Sequence, residues 1–227
     1  MKKYLNTICS SSLFRGIAED DTLTMLQCLG ASVRQVSKGA LIFCAGDPAD
    51  RIGVVLSGGL QVCRDDAQGY RTILAALGPG DIFGEGYACA QIDVLPVSVQ
   101  ATEDSQAVLL DCSRILTACP SSCPFHASLI RNLTSVLANK NVFLTQRMEH
   151  LSKRTLRDKL LSYLEEQAFR SGAPSFRIPL DRQGLADYLC ADRSALSREL
   201  SRLRREGEID FVRNEFRLLG HGRPSPE

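Results

Sequence analysis

Residues 181–207 read DRQGLADYLCADRSALSRELSRLRREG and decide the fold of the C-terminal part of the chain. Apolar residues recur in both halves at the spacing of helical faces, and a short break at Cys190 separates the two halves. Asp192 is a suitable N-cap for the second helix, and Gly207 is a suitable residue to end it. Because the side chain of Ala186 is small, the two helices can cross closely. The pattern therefore predicts a helix-turn-helix. The two apolar faces are formed by Leu185, Ala186 and Leu189, and by Leu196, Leu200 and Leu203.

The second helix carries a basic and polar face opposite its leucines. Arginine can bond O6 and N7 of guanine with two hydrogen bonds, and the first residues of a recognition helix meet base edges in the major groove. A basic surface helix unrelated to DNA is the alternative. However, residues 209–212 and 215–219 can pair as a hairpin wing, and the complete pattern favours binding to double-stranded DNA. The predicted DNA contacts are Arg193, Ser194, Ser197, Arg198, Arg202, Arg204 and Arg205.

The composition is that of a globular protein, and the charge differs between the two halves of the chain. The chain has 227 residues, 44% of them hydrophobic and 23% charged, which is ordinary for globular domains. Its net charge of +1 divides into −4 for residues 1–120 and +5 for residues 121–227, as expected if the second part meets nucleic acid. No apolar run reaches the roughly 18 residues of a membrane span, and no secretory signal is recognisable. We therefore expect a cytoplasmic protein without membrane contact.

Residues 33–112 show the pattern of a β-rich domain. Short apolar runs such as 41–43 and 53–56 alternate with glycine and proline turns such as 45–48 and 78–81. Evenly spaced short strands with such turns are typical of a sandwich or barrel.

A long helix is predicted over residues 122–151, where large apolar residues recur near a seven-residue period. A core helix packed on its own domain is the alternative. We favour a dimerisation helix, because a long apolar stripe between two domains has little else to bury against. The resulting domain prediction is a β-domain over 1–120, a dimerisation helix over 121–151 and a DNA-binding domain over 152–227. The predicted dimer interface is formed by Ile130, Leu133, Leu137, Leu144 and Leu151.

From about Leu13 to Leu219 the chain resembles the CRP/FNR family of transcriptional regulators. The stretch KGALIFCAGDPADRIGVVLSG at 38–58 is similar to the family's first cupin-like strands, and LGPGDIFGE at 77–85 is similar to the loop that leads into its ligand pocket. The resemblance implies an α+β protein with an N-terminal double-stranded β-helix (jelly roll) sensor domain, a long dimerisation helix and a C-terminal winged helix-turn-helix. It also implies a homodimeric allosteric regulator, an inverted-repeat operator and RNA polymerase as a partner.

Two positions depart from the cyclic-AMP branch of that family. There, an Arg-Ser pair follows the Phe-Gly-Glu motif by ten residues, and its arginine grips the cyclic phosphate. Here Leu95 and Pro96 occupy those positions, and leucine cannot make the charge-assisted hydrogen bond. The sequence argues against a cyclic nucleotide and leaves the small-molecule effector, or any cofactor, unidentified. The predicted effector site is formed by Phe83, Gly84, Glu85, Tyr87, Leu95 and Pro96.

The recognition helix departs from the family as well. The glutamate that would accept a hydrogen bond from cytosine is Ser194 here, so we expect looser base selection at that position. The usual glycine of the turn is Cys190, so we expect a residue other than glycine at positive φ.

Cysteines and histidines raise a second functional hypothesis. Thiolate and imidazole groups that fall within fifteen residues would suit zinc or an iron–sulfur centre, although these cysteines can also be simple buried thiols. A thiol- or metal-based redox-sensing transcription factor on the same scaffold is therefore the alternative function. An enzyme of the cupin type is not expected, because residues 33–112 contain no histidine. The candidate ligands are Cys112, Cys119, Cys123 and His126.

Overall fold

The computed structural model describes residues 2–65, 68, 71–117, 125–173 and 175–219. The chain divides into two compact units, Met1–Lys140 and Asn141–Glu227. The predicted α+β class is confirmed, because antiparallel sheets and helices occur in both units. The division between the units falls inside the long helix, and the domain boundaries suggested by the sequence remain proposals.

The helices of the first unit flank a β-domain. Two of these helices precede the first strand, and two lie farther along the chain. Their bounds are α1 Leu5–Ser10, α2 Glu19–Cys28, α3 Glu85–Cys89 and α4 Cys112–Leu116, with 3-10 turns at Lys2–Tyr4 and Ser12–Phe14. The long helix α5, His126–Leu151, begins in this unit and ends in the second.

In the described part of the first unit, eight short strands form two four-stranded antiparallel sheets, as the turn pattern predicts. The first sheet has the order β1-β8-β3-β6, and the second has the order β2-β7-β4-β5. The strands are β1 Ser32–Val36, β2 Leu41–Phe43, β3 Arg51–Ser57, β4 Leu60–Asp65, β5 Arg71–Leu77, β6 Ile82–Phe83, β7 Ser98–Ala101 and β8 Ser105–Asp111.

Strand β3 is buried on both faces. Since successive side chains of a strand point to opposite sides, Val54 packs with the helices while Val55 packs between the two sheets. The same alternation occurs in β8, where Val108 faces the helices and Leu109 faces the interior of the roll. A double-sided core of this kind explains the near-continuous apolar run in β3.

Two glycines fix the path of the chain around β6. A Cβ atom on Gly53 would lie 2.1 Å from Phe83 Cζ, so only glycine lets that ring cross β3. Gly84 has φ of 81°, and a Cβ atom there would lie 2.7 Å from the carbonyl oxygen of Arg51. Gly84 therefore turns the chain directly from β6 into α3.

The second unit contains the predicted winged helix-turn-helix. Its elements are α6 Leu156–Ser171, β9 Ser175–Arg177, α7 Arg182–Tyr188, α8 Arg193–Arg205, β10 Ile209–Val212 and β11 Glu215–Leu218. Gly172 ends α6 with φ of 63°. Strands β10 and β11 pair as the expected hairpin, and β9 extends them to a three-stranded sheet. Among the helices that the structure describes, none is long and apolar enough to cross a membrane.

Candidate nucleic-acid interface and sensor site

The turn between α7 and α8 sets the direction of α8. Cys190 has φ of 51°, so the expected non-glycine residue at positive φ is present. The amide of Ala191 donates a hydrogen bond to the carbonyl of Ala186 at 2.9 Å, which closes the turn. Asp192 occupies the N-cap position as expected, but its side chain accepts no capping hydrogen bond.

Helix α8 has one buried and one exposed face. Leu196, Leu200 and Leu203 are at most 1% exposed and pack in the core of the second unit. Opposite them, the side chains of Arg193, Ser194, Ser197 and Arg198 are exposed, and the Ser197 hydroxyl donates to the Arg193 carbonyl. The structure brings these four residues together on the first turns of α8, at the end where recognition helices meet base edges.

The arginines of the second half of α8 differ in their contacts. Arg202 Nε lies 2.9 Å from Glu206 Oε1, and Arg204 Nε lies 3.0 Å from Asp210 Oδ1. Arg204 also lies over the ring of Phe211, 5.4 Å from its centroid, so this side chain is already engaged with the wing. By contrast, Arg193, Arg198 and Arg205 form no ion pair with any carboxylate of the described residues.

A basic groove that was not predicted from the sequence lies between the wing and the start of α7. Arg182 donates to the carbonyl of Arg213 at 2.8 Å, and its guanidinium stacks on Phe211 and Phe216. Burial lowers the pKa of Arg182. The local signal was the helix start at Asp181, whose side chain caps Gly184. The groove is lined by Arg177, Asp181, Arg182, Gln183, Arg193, Val212, Arg213, Asn214 and Glu215.

An ion cluster holds the end of α8 against α6. Arg157 of α6 pairs with Glu206, and its two terminal nitrogens lie 3.7 Å from Glu199 Oε1 and 3.3 Å from Glu208 Oε1. The hydrogen bond that Arg157 donates to Glu206 and the charges of all three glutamates raise the pKa of Arg157. Arg157 thus offsets the repulsion among three carboxylates, with Arg202 as a second cation on Glu206, and the cluster fixes the orientation of the helix.

A buried polar cluster joins the end of α5 to α6 and α7 within the second unit. His150 is 3% exposed, with Nε2 at 2.6 Å from Glu166 Oε2 and Nδ1 at 3.0 Å from Ser162 Oγ. The rings of Tyr163 and Tyr188 pack on it. Burial raises the pKa of Tyr163 to about 12.

The residues of the predicted dimer interface do not share one environment. Leu133 is 2% exposed and packs in the core of the first unit, so its assignment to the interface needs correction. Ile130, Leu137 and Leu151 are half-buried. Leu144 is 60% exposed.

The predicted effector residues are brought together only in part. Phe83 and Leu95, at 2% and 3% exposed, belong to the core between the sheets, with Tyr87 packed against them. Pro96 is exposed. Glu85 is buried beside α5, where Oε1 accepts a hydrogen bond from Lys140 Nζ at 2.5 Å. Its Oε2 atom has no hydrogen-bond partner among the described residues.

The candidate metal ligands are only partly within the described structure. Cys119 and Cys123 lie outside the described residues. His126 Nε2 lies 2.8 Å from the carbonyl of Ile115. Cys112 is 3% exposed, and its sulfur contacts that of Cys89. In the described ranges, no group of three or more His, Cys, Asp or Glu side chains is placed to hold a metal.

Comparison with protein families gives two matches in different parts of the chain. A cyclic nucleotide-binding domain matches residues 33–121, and a Crp-like helix-turn-helix domain matches residues 158–220. The nitrogen fixation regulation protein FixK of Azorhizobium caulinodans is 27% identical over 224 residues, which cover 92% of this chain and 84% of that protein. The transcriptional activator protein Anr of Pseudomonas aeruginosa is 24% identical over 191 residues, which cover 82% of this chain and 76% of that protein.

Two solved structures share the fold. The c-di-GMP-responsive global regulator CLP of Xanthomonas campestris has a TM-score of 0.57 at 18% identity, with 90% of this chain and all of that chain covered. The sensor domain of the transcriptional regulator DNR of Pseudomonas aeruginosa has a TM-score of 0.53 at 21% identity. That match covers 68% of this chain and 96% of the sensor domain.

Proposed function

This chain belongs to the CRP/FNR family, and from that premise we propose that it acts as a homodimer on an inverted-repeat operator, controlled by an effector other than a cyclic nucleotide. It is a DNA-binding transcriptional regulator with an effector-sensing domain. Binding and allostery are its proposed activities, with RNA polymerase as a further partner, and we assign no catalysed reaction to it.

The observation that carries the DNA half of the proposal is the exposed face of α8. Arg198 follows Arg193 by five residues, a little over one helical turn, and neither is held by a carboxylate of the described residues. We expect at least one of them to read guanine, at ~1–3 kcal/mol of discrimination for a bidentate contact. Ser194 reads its base loosely, because a hydroxyl both donates and accepts.

The remaining basic side chains are assigned to the phosphate backbone, which sets register but carries no sequence information. Arg202 and Arg205 lie farther along α8, beyond the first turns that enter the groove. The groove around Arg182 and Gln183 adds phosphate contacts between α7 and the wing. Arg204 serves to hold the wing, since Asp210 already pairs with it.

The homodimer is proposed from the apolar face of α5. At 100° per residue, Leu137, Leu144 and Met148 fall on one side of the helix. Leu144 and Met148 are 60% and 68% exposed, so the single chain leaves them without cover. If the same face of α5 from a second copy packed against this one, both apolar faces would be buried.

The effector proposal rests on Leu95. Its side chain is buried in the interior of the roll, at the position where the cyclic-AMP branch has its phosphate-binding arginine. A phosphate placed there would lose its water without gaining a charged donor, which is strongly unfavourable. The unpaired Oε2 atom of Glu85 favours an effector that carries a hydrogen-bond donor on an otherwise apolar or aromatic body.

Titration calorimetry with cyclic AMP and cyclic GMP tests the effector proposal. The expected result is no saturable heat at micromolar protein concentration with either nucleotide. Binding of a DNA duplex by the same preparation is the control that the protein is intact. Sub-micromolar binding of either nucleotide would overturn the assignment of Leu95.

A further inference from the structure

Two thiols of the first unit lie in contact although 23 residues separate them in sequence. The sulfur atoms of Cys89 and Cys112 are 3.8 Å apart, and both residues are free cysteines. Of the seven cysteines that the structure describes, these are the two whose sulfurs contact each other. Cys89 is the last residue of α3, and Cys112 is the first residue of α4.

We infer that Cys89 and Cys112 form a redox modification site that a peroxide-class oxidant converts to a disulfide. The sulfurs need to approach from 3.8 Å to about 2.05 Å, a distance that side-chain rotation and a small movement of α3 can cover. Cys89 is half-buried and Cys112 is 3% exposed, so the oxidant reaches Cys89 first.

The chemistry balances with a peroxide alone. The Cys89 sulfur attacks one peroxide oxygen, the O–O bond breaks, and a sulfenic acid and one water form. The Cys112 sulfur then attacks the sulfenic sulfur, the S–S bond forms, and the hydroxyl group leaves with the Cys112 proton as a second water. Two thiols thereby give two electrons to the peroxide.

Burial sets the rate of this reaction. It raises the pKa of both thiols, and that of Cys112 to about 12, so both are protonated at neutral pH. Because the thiolate is the nucleophile, the site responds slowly at pH 7 and faster as the pH rises. It therefore suits sustained oxidation rather than a brief exposure.

Helix α3 connects this site to α5. Only five residues long, it begins with Glu85, which bonds Lys140, and ends with Cys89. A disulfide at its last residue would shift or rigidify the same short helix whose first residue holds α5. This inference does not rest on the identity of the effector or of the operator.

Mass spectrometry of peroxide-treated full-length protein tests the site. No Lys or Arg lies between the two cysteines, so trypsin leaves both in one peptide, whereas cleavage after Glu103 separates them unless they are bridged. We expect the bridged peptide pair in the wild-type protein, forming several-fold faster at pH 9 than at pH 7. Oxidation of both cysteines without a bridge between them would overturn the assignment.

Matched variants and hydrogen exchange test the connection to α5. Cys9→Ser is the control, because Cys9 is also half-buried but contacts the hydroxyl of Thr22 instead of a thiol. Oxidation should change amide exchange in residues 85–90 and around Lys140 several-fold in the wild type and in Cys9→Ser. It should leave exchange there unchanged in Cys89→Ser. Unchanged exchange in the oxidised wild type, with the bridge present, would refute the coupling.

Discussion

Lys140 places its Nζ atom 2.5 Å from Oε1 of Glu85, and this ion pair joins the long helix α5 to the first residue of α3, where the motif IFGE ends. The Glu85 side chain is 5% exposed, whereas that of Lys140 is 52% exposed. The same ammonium group lies 3.4 Å from the carbonyl of Ile82. A movement of residues 82–89 in the sensor domain would therefore change the contacts that Lys140 of α5 makes with Ile82 and Glu85.

Replacing Lys140 should lower the free energy of unfolding more than replacing Glu85, whose charge it neutralises. Lys140→Met leaves a buried carboxylate without a counter-charge, and we expect the free energy of unfolding to fall by about 1–3 kcal/mol. In the Glu85→Gln, Lys140→Met double variant the loss should be smaller than the sum of the single losses. Denaturant unfolding measures all three variants, with Lys153→Met as the control at an exposed lysine. Additive losses would show that the pair is not coupled.

The helix-turn-helix turn should become more stable with glycine. Cys190 has φ of 51°, a conformation that costs a non-glycine residue about 1 kcal/mol. Cys190→Gly should therefore raise the melting temperature. Gly172→Ala is the control of opposite sign, since Gly172 has φ of 63° and open space around its Cβ position. Destabilisation by Cys190→Gly would mean that the thiol makes a contribution larger than the strain.

The second unit should lose stability in alkaline solution. Because burial raises the pKa of Tyr163 to about 12 from its ordinary 10.0, the folded state keeps a proton that the unfolded state loses. Stability therefore falls as the pH rises from about 10 to about 12, by roughly 2–3 kcal/mol for this group. Tyr163→Phe should flatten that fall relative to its own value at pH 8. An unchanged slope would show that Tyr163 is not responsible.

A charged side chain in the proposed dimer interface of α5 should weaken the dimer. Leu144→Asp places a carboxylate in the apolar face of α5, and we expect the dissociation constant to rise at least tenfold. Val142→Asp is the matched control, because Val142 is 54% exposed but lies on the opposite side of the helix. Sedimentation velocity distinguishes the two variants. A wild-type protein that is monomeric at micromolar concentration would contradict the dimer.

Local patterns predicted much of the second unit. The helical spacing of Leu196, Leu200 and Leu203, the turn at Cys190 and the hairpin after Gly207 each depend on neighbours in sequence, and all are present. The strands of the first unit were also predicted from local signals, the glycine and proline turns between them.

Contacts between segments that are distant in sequence could not be predicted from it. The Glu85–Lys140 pair joins residues 55 apart, and the Cys89–Cys112 contact joins residues 23 apart, so neither leaves a periodic signal. Leu133 fits the seven-residue period but faces its own domain, because period alone does not show which surface a helix face meets. Arg204 likewise has the charge of a DNA contact, while Asp210 and Phe211 engage it in the wing.

Selection of bound duplexes from a random pool tests the central claim, that α8 reads DNA sequence through its first turns. The wild type should select an inverted repeat whose half-sites lie about one helical turn, ~34 Å, apart. Arg198→Ala should lose selection at one or two base pairs of each half-site. Arg205→Ala should keep the selected sequence, bind all duplexes more weakly and depend less on salt. An unchanged selected sequence with Arg198→Ala would contradict the assignment of the reading residues, and a wild type that selects no sequence would contradict the account as a whole.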